Sequence, residues 1–251
     1  MLALVGCDNT GRKKGAVKID AKTIFGMTVL YAEIGLPPKK RRINTQAYKE
    51  TAARLKGCGA YTLCFHESFP EGSNFLGREF ETVDMKKLIS AMSVDIISEA
   101  VVPDACFAVL AERADEESVG ALEKACRKYR RVIAHLGIFT DMVCRELARR
   151  LGGSVKQVTG SDEWKKADGA IIFHNNPVPA KFRQEVPVLF VEGNRCESVF
   201  GGKTVSGTEF FVNKDPGYIP NGFSVAEIIA EAFNEGYLRE AEIGVKNTVL
   251  V

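Results

Sequence analysis

The sequence is poor in the features that assign a function quickly. Its 251 residues hold three histidines and one tryptophan, so a site built on imidazole has few positions to draw on. Seven cysteines show no CxxC pair. An odd number at irregular spacing in a chain this long excludes a disulfide framework as its organising device, and reduced thiols in a cytoplasmic protein are expected. Neither sign of charge dominates: 34 basic against 32 acidic residues leave a net charge of +2. That balance gives no bulk electrostatic case for nucleic acid or for a membrane surface. The basic runs Arg12-Lys13-Lys14, Lys39-Lys40-Arg41-Arg42 and Arg127 to Arg131 are read as solvated faces or helix ends. No apolar run approaches the roughly 18–20 residues that cross a bilayer. Ala3-Leu4-Val5-Gly6-Cys7 has the local shape of a lipoprotein cleavage site, but no basic region or long apolar run precedes it, so a first β-strand is expected there.

What the sequence does contain is a regular alternation. From Arg130 to Asn176 it reads strand, turn, helix, Gly-Gly stop, strand, short helical turn, strand. Strands are expected at Cys106–Leu110, Val132–Leu136, Val155–Val158, Ala170–Phe173 and Val186–Val191. Helices are expected from Asp115 and over Thr140–Leu151, where Val143, Leu147 and Leu151 recur every fourth residue and give one apolar face. Strands joined by helices of this length imply parallel pairing through a right-handed crossover. The short continuous apolar strands agree, because parallel strands are covered on both faces. The fold class expected is therefore α/β and Rossmann-like, a mostly parallel sheet with helices on both faces.

Before this section the pattern is looser. A strand at Met1–Cys7, a return arm at Gly15–Asp20, and a strand over Thr23–Ile34 bulged at Gly26 are followed by a helix from Thr45 and a strand at Ala60–Phe65. A further helix is capped by Asp84. Residues 1–102 are expected to form an N-terminal α/β region with a β-hairpin, and residues 103–251 a Rossmann-like region; one continuous domain is the alternative. The second region ends in a glycine-punctuated hairpin reaching Val212, a helix opened by the capping box Ser224/Glu227, and a tail strand over Val245–Val251.

In open α/β sheets ligands bind beyond the carboxyl ends of the strands. That rule selects His66 and Glu67, which follow one strand, and His174, Asn175 and Asn176, which follow another. Glu192 and Asn194 follow a third, and Gly137 opens the turn after Val132–Leu136. Histidine titrates near neutrality, so His66 and His174, with Glu67, are the candidate catalytic groups. Asn175, Asn176, Glu192, Asn194 and Gly137 are the candidate ligand contacts. His135 is read as structural. No metal site is assigned, since no pair of histidines or cysteines has a familiar ligand spacing.

Two turns invite a phosphate reading and fail it. Gly6 to Lys13 nearly spells GxxxxGK[ST], but Arg12 stands where the lysine belongs and Lys13 where a magnesium-binding hydroxyl belongs. Leu136 to Asp141 joins strand to helix with a single glycine, and Ile138, Phe139 and Asp141 would crowd and repel a pyrophosphate. No cofactor is assigned. Two functions remain. One is a protein binding a small polar or anionic metabolite at the carboxyl edge of its sheet, as an enzyme if His66 and His174 act as acid–base groups. The other is a non-catalytic interaction or scaffolding protein, a homo-oligomer through its C-terminal helix and tail strand.

Overall fold

A computed structural model describes residues 1–8, 16–35, 45–69, 75–102, 104–152, 154–158, 160–173, 180–191 and 201–251. They divide into two compact units, Met1–Met85 with Val212–Ile243, and Lys86–Phe211 with Gly244–Val251.

The first unit holds a sheet in the order β2-β3-β1-β4-β5. Its strands are β1 (Leu2–Asp8), β2 (Val17–Ile24), β3 (Met27–Gly35), β4 (Thr62–Phe65) and β5 (Glu81–Thr82). β1 is the central strand, parallel to both β3 and β4. The stretch Thr23–Ile34, expected as one bulged strand, is instead a hairpin: β2 and β3 pair antiparallel with Ile24 opposite Met27. Phe25 and Gly26 form its two-residue loop with φ of 53° and 86°, the backbone that a type I′ turn imposes on both central residues. A phenylalanine is an unusual choice there, because a Cβ crowds the backbone at positive φ. Burial of its ring to 3% exposure and a bond from its N–H to the Pro216 carbonyl at 3.0 Å hold it in place. The expected return arm at Gly15–Asp20 therefore pairs with β3, not with β1.

Helix α1 (Thr45–Gly57) carries the chain from β3 to β4. Its Ala47, Tyr48, Ala52 and Leu55 pack with Ala3, Val5, Leu30, Ala32, Ile34 and Leu63 in one core cluster. The residues that alternate with these, Gly6 on β1, Tyr31 and Glu33 on β3, and Thr62 and Cys64 on β4, point to the opposite face. Tyr61, just before β4, donates its hydroxyl to Glu235, just past the last helix, at 2.5 Å.

The second unit holds seven strands in the order β12-β11-β10-β9-β6-β7-β8. These are β6 (Cys106–Ala111), β7 (Arg131–Leu136), β8 (Ser154–Gln157), β9 (Gly169–Phe173), β10 (Pro187–Phe190), β11 (Lys203–Val212) and β12 (Ile243–Leu250). From β8 to β11 the sequence order is 3-2-1-4-5-6, that of a dinucleotide-binding sheet, and every pair from β8 to β11 is parallel. The Rossmann-like α/β fold expected from the alternation of apolar runs is the fold observed.

The helices of this unit are α2 (Lys86–Ser98), α3 (Glu116–Lys128), α4 (Thr140–Leu151) and the short α5 (Ser161–Trp164). All six residues of β6 are buried, as a central parallel strand covered on both faces requires. On one face Phe107 stacks on Tyr129 at 4.5 Å; on the other Ala108, Leu110, Ile133, Val158, Trp164 and Phe182 share a core cluster.

The glycine-punctuated hairpin expected before Val212 is a single strand, β11, and its antiparallel partner is the tail. Thr204 and Val251 exchange both backbone bonds, at 2.8 and 2.9 Å. The chain between them, through α6 (Val225–Asn234), belongs to the first unit. Ser224 caps α6 by accepting from the Glu227 N–H at 3.3 Å. Ile228, Ile229 and Ala232 face inward as expected, but Val225 is 44% exposed and Glu231 takes a buried position instead.

Candidate functional site

Both sheets present a carboxyl edge. In the second unit the strand order puts the first βα turn after β6, at Ala111 to Asp115, and not at Gly137 where the sequence reading looked for the dinucleotide glycines. That turn has no glycine, and its helix end is already satisfied. Asp115 accepts from the Ser118 N–H at 2.9 Å while its own N–H donates to Ser118 Oγ at 3.1 Å. Glu116 and Glu117 add negative charge in the first turn of α3. A pyrophosphate needs free N–H groups and a positive helix end; here the Ser118 N–H is bound by Asp115, and Asp115, Glu116 and Glu117 oppose an anion.

Gly137 has φ of +65°, and a Cβ on it would stand 2.3 Å from the Glu112 carbonyl oxygen. The absent side chain lets two adjacent βα turns pack against each other. The Thr140 hydroxyl locks the same turn, donating to the Gly137 carbonyl at 2.6 Å and accepting from the Leu136 N–H at 2.7 Å. The residue at the cap of α4 is Phe139, with no side-chain cap bond. His135 lies on β7 opposite Leu110, half-buried, its Nδ1 without a partner among the described residues.

The carboxyl edge of the first unit is different. Here β1, β3 and β4 end side by side, Cys7 opposite Ile34 and Val5 opposite Phe65. His66, the residue after β4, is tied to β1 by its N–H bond to the Val5 carbonyl at 3.0 Å. Its Nδ1 accepts from the Ser68 N–H at 3.0 Å and lies 2.7 Å from the Ser68 hydroxyl. The imidazole meets Phe223 edge to face at 5.2 Å and 88°, and Phe223 meets Tyr31 at 5.9 Å.

Gly6 marks the meeting point of these side chains. A Cβ there would touch Phe223 at 3.6 Å, His66 at 3.8 Å and the Tyr31 hydroxyl at 3.9 Å. Gly222, with φ of +79°, is more demanding: its Cβ would fall 2.1 Å from His66 Nε2. Only glycine lets the chain pass over the imidazole at this point. Tyr31 donates to Glu33 at 3.1 Å. Glu67 is exposed, with its N–H bound to the Gly222 carbonyl at 2.8 Å.

Cys7 sits on the α1 side of the sheet, and burial pushes its thiol up to about 11. Cys144, on α4, is also raised to about 11, first by burial and then by Asp141. Neither is a thiolate near neutral pH, so nucleophilic thiol chemistry finds no support at either position.

Of the expected site residues, His66 and Glu67 stand together on the first unit and Gly137 lies on the second. His174, Asn175, Asn176, Glu192 and Asn194 lie outside the described residues. Among the described residues no group of three or more histidine, cysteine, aspartate or glutamate side chains is placed to hold a metal ion, and no helix is long and apolar enough to cross a membrane. Ser68, Gly222 and Phe223 are not among the site residues expected from the sequence. The HxS spacing was visible for Ser68, but nothing local links Gly222 and Phe223 to a histidine so distant in sequence.

No protein-family model matches the chain, and no curated protein matches it in sequence. Similarity to solved structures is distant. A Thermococcus litoralis Delta(1)-pyrroline-2-carboxylate reductase, solved with NADH and L-proline, has 14% identity and a TM-score of 0.33 over 63% of this chain and 51% of its own. A probable ornithine cyclodeaminase from Bordetella pertussis has 11% identity and a TM-score of 0.29 over 70% of this chain and 48% of its own. The chain thus spans about half the length of each. A shikimate 5-dehydrogenase-like protein has 12% identity and a TM-score of 0.35, over 93% of this chain and 89% of its own. None of these likenesses carries an argument about activity, which has to come from the residues themselves.

Proposed function

We propose that the protein binds a small polar metabolite at the carboxyl edge of the β2-β3-β1-β4-β5 sheet, with His66 as the acid–base group that meets it. The observation that carries this reading is the seating of His66. It ends a parallel strand, its Nδ1 is engaged by Ser68 at 3.0 and 2.7 Å, and no described residue hydrogen-bonds Nε2. A ring held on one nitrogen and open on the other is the usual arrangement of a histidine that acts on a ligand. Glu67 and Glu33 lie on the same rim and supply acceptors for hydroxyl or amino groups. His174, Asn175, Asn176, Glu192 and Asn194 remain candidates for ligand contact, each placed by sequence after a strand.

The test is a thermal-shift screen against nucleotides, phosphorylated metabolites, hydroxy and keto acids and divalent metals. A ligand that prefers the native state raises its melting temperature. At least one class is expected to do so, and His66→Ala is expected to remove the shift. A blank screen would overturn the reading.

One observation favours the second reading, an interaction protein. Ile138, Phe139 and Met142 are 90%, 50% and 63% exposed, a concentration of apolar surface at the start of α4 that soluble monomers rarely leave uncovered. If that surface mediates assembly, Ile138→Ser lowers the molar mass measured by light scattering while leaving any ligand shift intact.

A further inference from the structure

We infer that Ser68 is a positioning residue that holds the His66 imidazole in one tautomer, so that the site offers Nε2–H as a donor and selects ligands presenting a carbonyl or carboxylate oxygen. This rests on the binding reading above only for the ligand, not for the tautomer. A backbone N–H can only donate. With the Ser68 N–H 3.0 Å from Nδ1, that nitrogen must present its lone pair, and a proton on it would face another N–H head-on. The Ser68 hydroxyl at 2.7 Å then shares the same acceptor as a second donor. A neutral imidazole whose Nδ1 accepts carries its proton on Nε2. His66 therefore meets its ligand as a donor, an acid or electrophile, and not as a base.

Packing prevents the ring from escaping this state by turning over. A half-turn about its bond to Cβ would bring a carbon to face both Ser68 donors. Phe223 stands against the ring at 88°. Gly222 covers it from above: a Cβ there would be 2.1 Å from Nε2 but also 2.6 and 2.7 Å from Cε1 and Cδ2. A point so close to all three atoms lies over the ring face. A point in line with the N–H would stand farther from both carbons, so Gly222 does not block the direction in which Nε2–H donates.

The start of α6 follows directly on Gly222 and Phe223, with Ser224 as its cap. Its first turn is engaged by the Ser224 cap and carries Glu227, so the preference for an oxygen acceptor rests on the ring proton.

The experiment is long-range proton–nitrogen correlation on the ¹⁵N-labelled full chain, reading both ring nitrogens of His66. The wild type is expected to show Nε2 protonated and Nδ1 bare. Ser68→Ala keeps the backbone donor and loses the hydroxyl, so its Nδ1–H fraction should rise about two- to tenfold, the weight of one hydrogen bond. Sodium pyruvate, as a carboxylate and carbonyl probe, should move the Nε2–H resonance, while ethylammonium chloride should leave it in place. A wild-type ring protonated on Nδ1, an unchanged ratio in Ser68→Ala, or an equal response to both probes would overturn the inference. The two failures are separable: a wrong tautomer leaves the thermal-shift result standing, and a blank screen with the expected tautomer removes the metabolite but not the role of Ser68.

Discussion

The two sheets of this protein end in rims that look alike on a topology diagram and differ in their chemistry. The rim of the β6–β12 sheet has the strand order of a dinucleotide-binding fold, yet its first βα turn is closed on itself by the Asp115–Ser118 box and two further glutamates. The rim of the smaller sheet has a less familiar order, but among the described residues it holds an imidazole bonded by Ser68 on one nitrogen and by none on the other. Strand order locates an edge where ligands can sit; whether they do depends on which polar groups the local chain has already satisfied.

The largest effect expected from breaking this contrast is at Gly137. Alanine there combines a positive φ with a Cβ 2.3 Å from a backbone carbonyl that cannot yield. Strain and overpacking together should lower stability by roughly 2–4 kcal/mol in urea unfolding, with no specific effect on ligand binding. Gly222→Ala is next. Its clash is with a side chain that can swing away, so about 1–3 kcal/mol is expected. Unlike Gly137→Ala, it should also abolish the ligand-induced thermal shift by displacing His66. Equal ligand responses in the two variants would erase the distinction between the rims.

Asp115→Ala should cost about 1 kcal/mol, the usual weight of a lost helix cap. It should not create NADH affinity, followed by nucleotide fluorescence, because Glu116 and Glu117 still oppose a pyrophosphate. NADH binding at this turn in the wild type would contradict the account.

The smallest effect is a change of slope with pH. Glu231 on α6 is 4% exposed, with no partner for Oε1 among the described residues. Burial first, and then Glu235, raise its carboxyl above the ordinary glutamate value of 4.5, although a bond from the Thr62 hydroxyl works the other way. Above that ordinary value the unfolded chain releases this proton while the folded chain still holds it. Glu231 therefore contributes stability at low pH that is lost as pH rises through its folded value. Glu231→Gln should flatten this fall in urea unfolding measured across a pH series; a steeper fall would reverse the assignment.

The second unit was legible in the sequence because each of its signals is local. Alternating apolar runs, acidic starts and basic ends of helices, and a four-residue apolar recurrence in α4 each report on contiguous residues. The first unit was less legible for the same reason. Phe25-Gly26 carries no asparagine or aspartate to announce a hairpin, and a buried ring overrides the turn preference. The partner of β11 lies some forty residues downstream, and the chain between them returns to the first unit, a connection that periodicity cannot display. At the site, His66 and Glu67 were found because they follow a strand. Gly222 and Phe223 could not be, because their role exists only once α6 has brought them to β4.

The most direct test of the central claim is residue-resolved NMR during titration with a ligand from the thermal-shift screen. The account predicts that the largest amide and ring shifts fall on His66, Ser68, Gly222 and Phe223. Shifts concentrated on residues 111–118 and 136–140 would contradict it and move the site to the rim with the dinucleotide order.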